Sequence, residues 1–319
     1  MDLNGEENGG RSLPKAPTGI AGFDDITKGG LPRGRPTLVV GGPGSGKTLF
    51  AMEFLVNGAS KFNEPGVFVS FEETESELVQ NVRPLGFDVG ALEAKNLLSI
   101  DYVKVEASEI VETGEFDLEG LFVRIGFAID SIGAKRVVLD TIESVFSAFE
   151  NKFTLRSELR RLFRFLKDKG VTAVVTGEKG EGTLTRNGLE EYVSDAVIVL
   201  DNRVVGNVAT RRMRVLKYRG SSHGSNEYPF LIDEDGFSVL PITSVGLTAK
   251  VTDERISSGI PDLDTMLGGK GYYKGSTVLI TGQAGTGKTS FGAAFARSAC
   301  GKGMKVLFLS GCDRTPDPW

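Results

Sequence analysis

The sequence predicts an α/β protein whose mostly parallel central sheet is covered by helices on both faces. Three observations predict it. Short apolar runs of strand type alternate with longer amphipathic runs of helix type. A glycine-rich loop, "GGPGSGKTL" at residues 41–49, joins one such strand to one such helix, and a second loop of the same kind, "GQAGTGKTS" at residues 282–290, recurs in the same setting. Strands alternating with helices of this length imply right-handed crossovers and a sheet buried on both sides.

In chain order, residues 1–12 are acidic and glycine-rich and are expected to be a disordered tail. "RPTLVVGG" reads as a buried strand leading into the first loop, and residues 48–59 continue as helix with Phe50, Phe54 and Leu55 at helical spacing. "GVFVSF" (66–71) is the next strand, followed by a helix near 75–85, the strand "NLLSI", and a helix carrying Phe122, Ile125 and Ile129. "RVVLD" (136–140) is a strand, and the helix at 154–169 places Leu155, Leu159, Leu162, Phe163 and Leu166 on one stripe before "VTAVVT" returns as strand. From about residue 197 to 240 the texture becomes β-rich with turns, which predicts an antiparallel extension at the sheet's edge.

Residues 18–55 and 258–296 repeat one another: a Gly-Ile start, an aspartate before the turn (Asp24, Asp264), a glycine-rich turn, a β-rich run, the loop and an amphipathic helix. The spacing suits a whole domain and is far too long for a solenoid repeat. The expected organisation is therefore a complete α/β domain over 13–247 and the opening of a second over 248–319. Two strands and a helix bury too little surface to stand alone, so the second part is expected to be mobile or to lean on the first.

Composition excludes several function classes. The net charge of −5 provides no global attraction to nucleic acid or an anionic membrane. No apolar run reaches the length of a membrane span, and the start has no signal-peptide pattern, so the chain reads as cytoplasmic. Cys300 and Cys312 form neither a metal-ligand spacing nor a disulfide framework. His223 is the only histidine, which removes clustered-histidine metal sites.

Residues 41–48 satisfy G-x-x-x-x-G-K-[ST] between a strand and a helix, the setting of a phosphate-binding loop. Gly41, Gly44, Ser45, Gly46, Lys47, Thr48 and Leu49 form it. Gly44 and Gly46 let backbone amides approach a phosphate, Lys47 supplies a point charge between the terminal phosphates, and Thr48 offers a hydroxyl to Mg²⁺. Asp140 ends an apolar strand, where a carboxylate either orients Mg²⁺ or caps a following helix. Glu72 and Glu73 close the strand expected beside the phosphate-loop strand. They read either as the groups that position and deprotonate an attacking water or as part of a solvated acidic turn entering a helix.

The segment "TRRMRVLKYRGSSHG" gathers Arg211, Arg212, Arg214, Lys217 and Arg219 before a turn with Ser221, Ser222 and His223. It reads either as an edge strand protected by basic residues or as a set of groups reaching the nucleotide of a neighbouring subunit. The second loop retains Gly282, Gly285, Thr286, Gly287, Lys288 and Thr289.

These stretches, with "FVSFEET", "VVLDTIESVFSAF", "EYVSDAVIVL" and "LKYRGSSHGSNEYPF", resemble the KaiC family of ATPases, named for the cyanobacterial circadian clock protein. The resemblance covers about residues 18–310. It implies a RecA-like P-loop NTPase fold with a β-rich C-terminal extension, followed by an incomplete second RecA-like unit. It also implies ATP and Mg²⁺ as ligands, hexameric rings with ATP between neighbours, and a protein signalling partner. It makes Glu72 and Glu73 the catalytic carboxylates and brings Lys217, Tyr218, Arg219, Ser221 and His223 to the adjacent subunit's ATP. After "KVLFLS" the sequence departs from the family, and the second catalytic half expected of an autokinase does not follow. A RecA-like single-strand DNA-binding ATPase shares the fold, but the negative charge and the lack of a separate basic domain count against it.

Overall fold

The computed structural model describes residues 13–104, 118–146, 152–180, 185, 194–205, 208–241 and 252–309. The expected tail at 1–12, residues 147–149 and 191–193 of the quoted motifs, and Cys312 lie outside them. The chain divides into two units, Met1–Val245 and Gly246–Trp319.

In the first unit a two-residue ribbon, β1 (Lys15–Ala16) with β2 (Leu31–Pro32), brackets the short helix α1 (Phe23–Thr27). The apolar run Pro36–Gly41 forms β3, fully buried, and the glycine loop leads from it into α2 (Lys47–Phe62). Then follow β4 (Gly66–Ser70), α3 (Glu75–Val82), α4 (Val89–Glu93), β5 (Leu98–Tyr102), α5 (Glu119–Ile132) and β6 (Arg136–Asp140). The unit continues through α6 (Ile142–Phe146), α7 (Lys152–Asp168), β7 (Thr172–Glu178), β8 (Ala196–Val205), β9 (Val208–Tyr218), β10 (Tyr228–Asp233) and β11 (Gly236–Val239).

The strands form one sheet in the order β11-β10-β9-β8-β3-β7-β6-β4-β5. The pairs from β5 across to β8 are parallel, and those from β8 to β11 antiparallel. Alternation along each strand builds two cores. Val39, Phe68, Val138 and Val174 face the cluster that contains α2, while Leu38, Val67, Val137 and Val175 face the cluster of α5 and α7. This is the expected α/β architecture with an antiparallel extension at one edge. No described helix is long and apolar enough to cross a membrane.

One expectation is corrected. The strand that ends before Glu72 and Glu73 is not adjacent to the phosphate-loop strand, because β7 and β6 lie between them. Chain order carries no information about later strands inserted between earlier ones. The two glutamates instead border the Asp140 strand: Ser70 pairs with Asp140, and the Phe71 N–H donates to the Asp140 carbonyl at 2.8 Å.

At the opposite end of the same strand Arg136 is fully buried. Its guanidinium donates to Glu64 Oε2, the Phe54 carbonyl and the Pro17 carbonyl, each at 2.8 Å, and so ties β6 to α2.

In the second unit Arg255–Ile256 pairs with Tyr272–Tyr273, around a helix at Pro261–Met266, and a longer helix spans Lys288–Gly301. The β-rich run expected before the second loop forms no ladder among the described residues, nor does the apolar stretch at 305–309, and Leu279 and Leu307 stand exposed. In the first unit the equivalent strand, β3, is clamped between β7 and β8, which arrive more than a hundred residues later in the chain. Among the described residues of the second unit no strand stands beside residues 276–281.

Candidate functional site

The first glycine loop lies at the carboxyl end of β3, where open parallel sheets bind ligands. Gly44 and Gly46 adopt φ of 68° and 92°, a region closed to most side chains. A Cβ on Gly46 would stand 2.6 Å from Ile232 Cδ1 of β10. Lys47 is buried, and its ammonium donates to the carbonyls of Gly41 and Gly42 at 3.0 and 3.2 Å, folding the side chain back over the loop. Ser45 is buried against Gly41, whereas Thr48 and Leu49 are half-buried.

The helix α2 starts with no side-chain cap and no acid in its first turn. Its leading N–H groups and positive dipole end therefore remain available to an anion. They border a cavity of 420 Å³ lined by the loop, Glu73, Asn81 and Ile232 among others.

Asp140 is buried and accepts hydrogen bonds from the hydroxyls of Thr176 and Thr48. Burial pushes its carboxyl above the ordinary value, while those hydroxyls and the Lys47 ammonium pull it down. The carboxylate thus points across the sheet toward the phosphate loop. No group of three or more His, Cys, Asp or Glu side chains that could hold a metal occurs among the described residues. One carboxylate and one hydroxyl beside the glycine loop fit Mg²⁺, which is ordinarily held by few protein groups together with substrate phosphates and water.

Glu72 and Glu73 lie beyond the end of β4 in a bend, so the alternation of a strand does not govern them. Glu72 Oε1 accepts from the hydroxyls of Thr141 at 2.9 Å and Ser144 at 2.7 Å, which turns it toward the Asp140 strand end. Glu73 lines the phosphate-loop cavity, and its Oε2 accepts from the Asn81 amide at 3.2 Å. The Ser70 hydroxyl accepts from the Glu73 N–H at 3.1 Å and donates to the Glu73 carbonyl at 2.5 Å, fixing the bend. The helix that follows is capped by Thr74 and Glu77 in a reciprocal box. The acids of the helix entrance are therefore Glu75 and Glu77, not the pair ahead of them. Thr141, Ser144, Asn81 and Thr176 escaped the sequence reading, because neutral polar side chains carry no recognisable pattern.

The basic segment lies on β9 and the turn beyond it. A register shift in the pairing of β8 with β9, at Val197/Ile198, brings Val215 and Tyr218 inward and leaves Arg219 exposed. Tyr218 packs into the core, with its hydroxyl donating to the Gly30 carbonyl at 2.9 Å. The His223 ring lies 6.2 Å from the Tyr218 ring, and its buried Nδ1 has no hydrogen-bond partner among the described residues. Ser221 accompanies them on the turn. These groups stand at the β8–β9 side of the sheet; the glutamate pair stands on the other side of β3.

The second loop repeats the local geometry of the first. Lys288 donates to the carbonyls of Gly282 and Gln283 at 2.8 and 2.6 Å, and Gly285 and Gly287 adopt φ of 82° and 86°. Thr286 donates to the Gln283 carbonyl at 2.8 Å, and Thr289 is exposed. A larger cavity of 490 Å³ on the outer face, between α5 and α7, contains no residue of either loop.

Against known families, the model described as "ATPase: KaiC" matches residues 16–244 and 256–315. The chain is 61% identical over 299 residues to the circadian clock protein KaiC2 of Synechocystis sp., covering 94% of this chain and 53% of that protein. It is 44% identical over 303 residues to the circadian clock oscillator protein KaiC of Synechococcus elongatus (93% and 58%), and 43% identical over 302 residues to that of Parathermosynechococcus lividus (94% and 56%). The chain spans about half the length of the curated relatives it matches.

Proposed function

This chain belongs to the KaiC family of ATPases, and from that premise we propose that its first unit hydrolyses ATP between subunits of a hexameric ring, turning slow turnover into a conformational signal for a protein partner. The observation that carries the reading is the division between the two glutamates. Glu73 lines the phosphate-loop cavity, whereas Glu72 is tethered by two hydroxyls beside Asp140.

In this reading the leading amides of α2 and the Lys47 ammonium hold the triphosphate. Thr48 and Asp140 would hold Mg²⁺, which when bound neutralises charge on the phosphates. Glu73 accepts the proton of the attacking water, and Glu72 orients that water from the side of Asp140. Lys217, Arg219, Ser221, His223 and the backbone of Tyr218 reach the nucleotide of the neighbouring subunit, where an arginine stabilises developing charge. That the relatives are named as circadian clock proteins supports a signalling role.

Steady-state hydrolysis and nucleotide binding by single variants test the assignment. Lys47→Ala is expected to lose binding, and Glu73→Gln to bind but not turn over. Normal hydrolysis by both Glu72→Gln and Glu73→Gln refutes it.

A further inference from the structure

We propose that Asp195 is the positioning residue for Arg219, holding its guanidinium at the subunit edge in readiness for the neighbour's nucleotide. The proposal rests on the cross-subunit reading above and adds to it the residue that prepares the donor side.

Asp195 immediately precedes β8, and its side chain is 3% exposed. Three cations from three parts of the fold converge on it. Lys167 of α7 lies 2.5 Å from Oδ2, while Arg35, just before β3, and Arg219, just after β9, lie 3.5 and 3.9 Å from Oδ1. The backbones are also joined, since the Arg219 N–H donates to the Asp195 carbonyl at 2.9 Å. One carboxylate charge cannot satisfy three cations. Lys167 is the nearest, yet Oδ2 has no hydrogen-bond partner among the described residues, so Lys167 acts through charge, as does Arg219, whose contact lies beyond hydrogen-bond length.

That arrangement has a functional consequence. Arg219 is half-exposed, so it can leave, and it is biased toward one place, so little freedom is lost when it engages a ligand. A polyphosphate carries more negative charge than a shared carboxylate and would draw the guanidinium outward. Lys167 and Arg35 remain behind to neutralise Asp195, so Arg219 departs without leaving a buried carboxylate unpaired. A purely structural Asp195 would need only those two.

Mixed assemblies of the full chain separate these roles. A site that joins one subunit's loop to the next subunit's arginine is heterologous, so defects on opposite faces complement and defects on the same face do not. Asp195→Asn alone is expected to lower kcat about tenfold or more while KM changes less than about threefold, with Asp195→Glu recovering most of the loss. A one-to-one mixture of Arg219→Ala with Glu73→Gln should recover about a quarter of wild-type activity by random assembly of head-to-tail interfaces. Asp195→Asn with Glu73→Gln should recover a similar share, and Asp195→Asn with Arg219→Ala none.

Recovery in that last mixture, or a wild-type kcat for Asp195→Asn, overturns the proposal. Failure of the Arg219→Ala and Glu73→Gln mixture to recover overturns the cross-subunit reading itself, and the proposal with it. If Asp195→Asn does not fold, the Asp195→Asn, Lys167→Met double variant, which removes one charge of each sign, takes its place in the same mixtures.

Discussion

Replacing Arg136 with methionine probes the link between the sheet and the phosphate-loop helix. The side chain is fully buried, donates to Glu64, Phe54 and Pro17, and stacks over the Phe54 ring at 4.5 Å. Breaking a buried ion pair from one side costs about 3–5 kcal/mol. Glu64 keeps Arg33 at 2.6 Å, which places the loss near the lower end. Two carbonyls lose charged donors, adding about 1 kcal/mol, and the methionine returns a similar amount by packing against Phe54 and Phe62. The net is about 3 kcal/mol, equivalent to a fall in Tm of roughly 6–12 °C for a unit of this size. Thermal unfolding followed by circular dichroism measures it. Adding Glu64→Gln should recover part of the loss by removing the carboxylate left behind. A fall of less than about 2 °C would refute the assignment of Arg136 as the tie between β6 and α2.

Glu53 of α2 is buried and accepts the Phe237 N–H at 2.7 Å, and burial holds its carboxyl above the ordinary value of 4.5. Its neutral form favours folding, so that contribution is complete below pH 4.5 and is lost as pH rises through the raised value. Glu53→Gln, always neutral, should therefore gain Tm relative to wild type as pH increases, and a difference independent of pH contradicts this. Thr141→Val combined with Ser144→Ala frees the Glu72 carboxylate and is expected to lower kcat about tenfold with nucleotide affinity unchanged. Stopped-time phosphate release and equilibrium binding measure the two quantities, and an equal loss in both would point to a damaged loop instead.

Much of the fold was legible because it rests on local periodicity. The stripe of Leu155, Leu159, Leu162, Phe163 and Leu166 marks α7, and the apolar run ending in Asp140 marks β6. The glycine loop joining β3 to α2 was legible because its glycines, lysine and threonine occupy fixed positions between a strand and a helix. What escaped is non-local. The insertion of β6 and β7 between β3 and β4 is decided by sheet topology, which no stretch of residues records. The same holds for the hydroxyls on Glu72 and for the cations around Asp195, brought together from distant segments. The inward turn of Tyr218 depends on a register shift that simple alternation cannot anticipate. The apolar run at 276–281 reads as a strand by composition, yet without neighbours it forms no ladder among the described residues.

Calorimetric titration of the full chain with ATP in the presence of Mg²⁺ tests the central claim most directly. The account predicts saturable binding that Lys47→Ala weakens by roughly a hundredfold or more and that Lys288→Ala leaves in place. Binding undiminished in Lys47→Ala, or no binding by the wild-type chain, would contradict it.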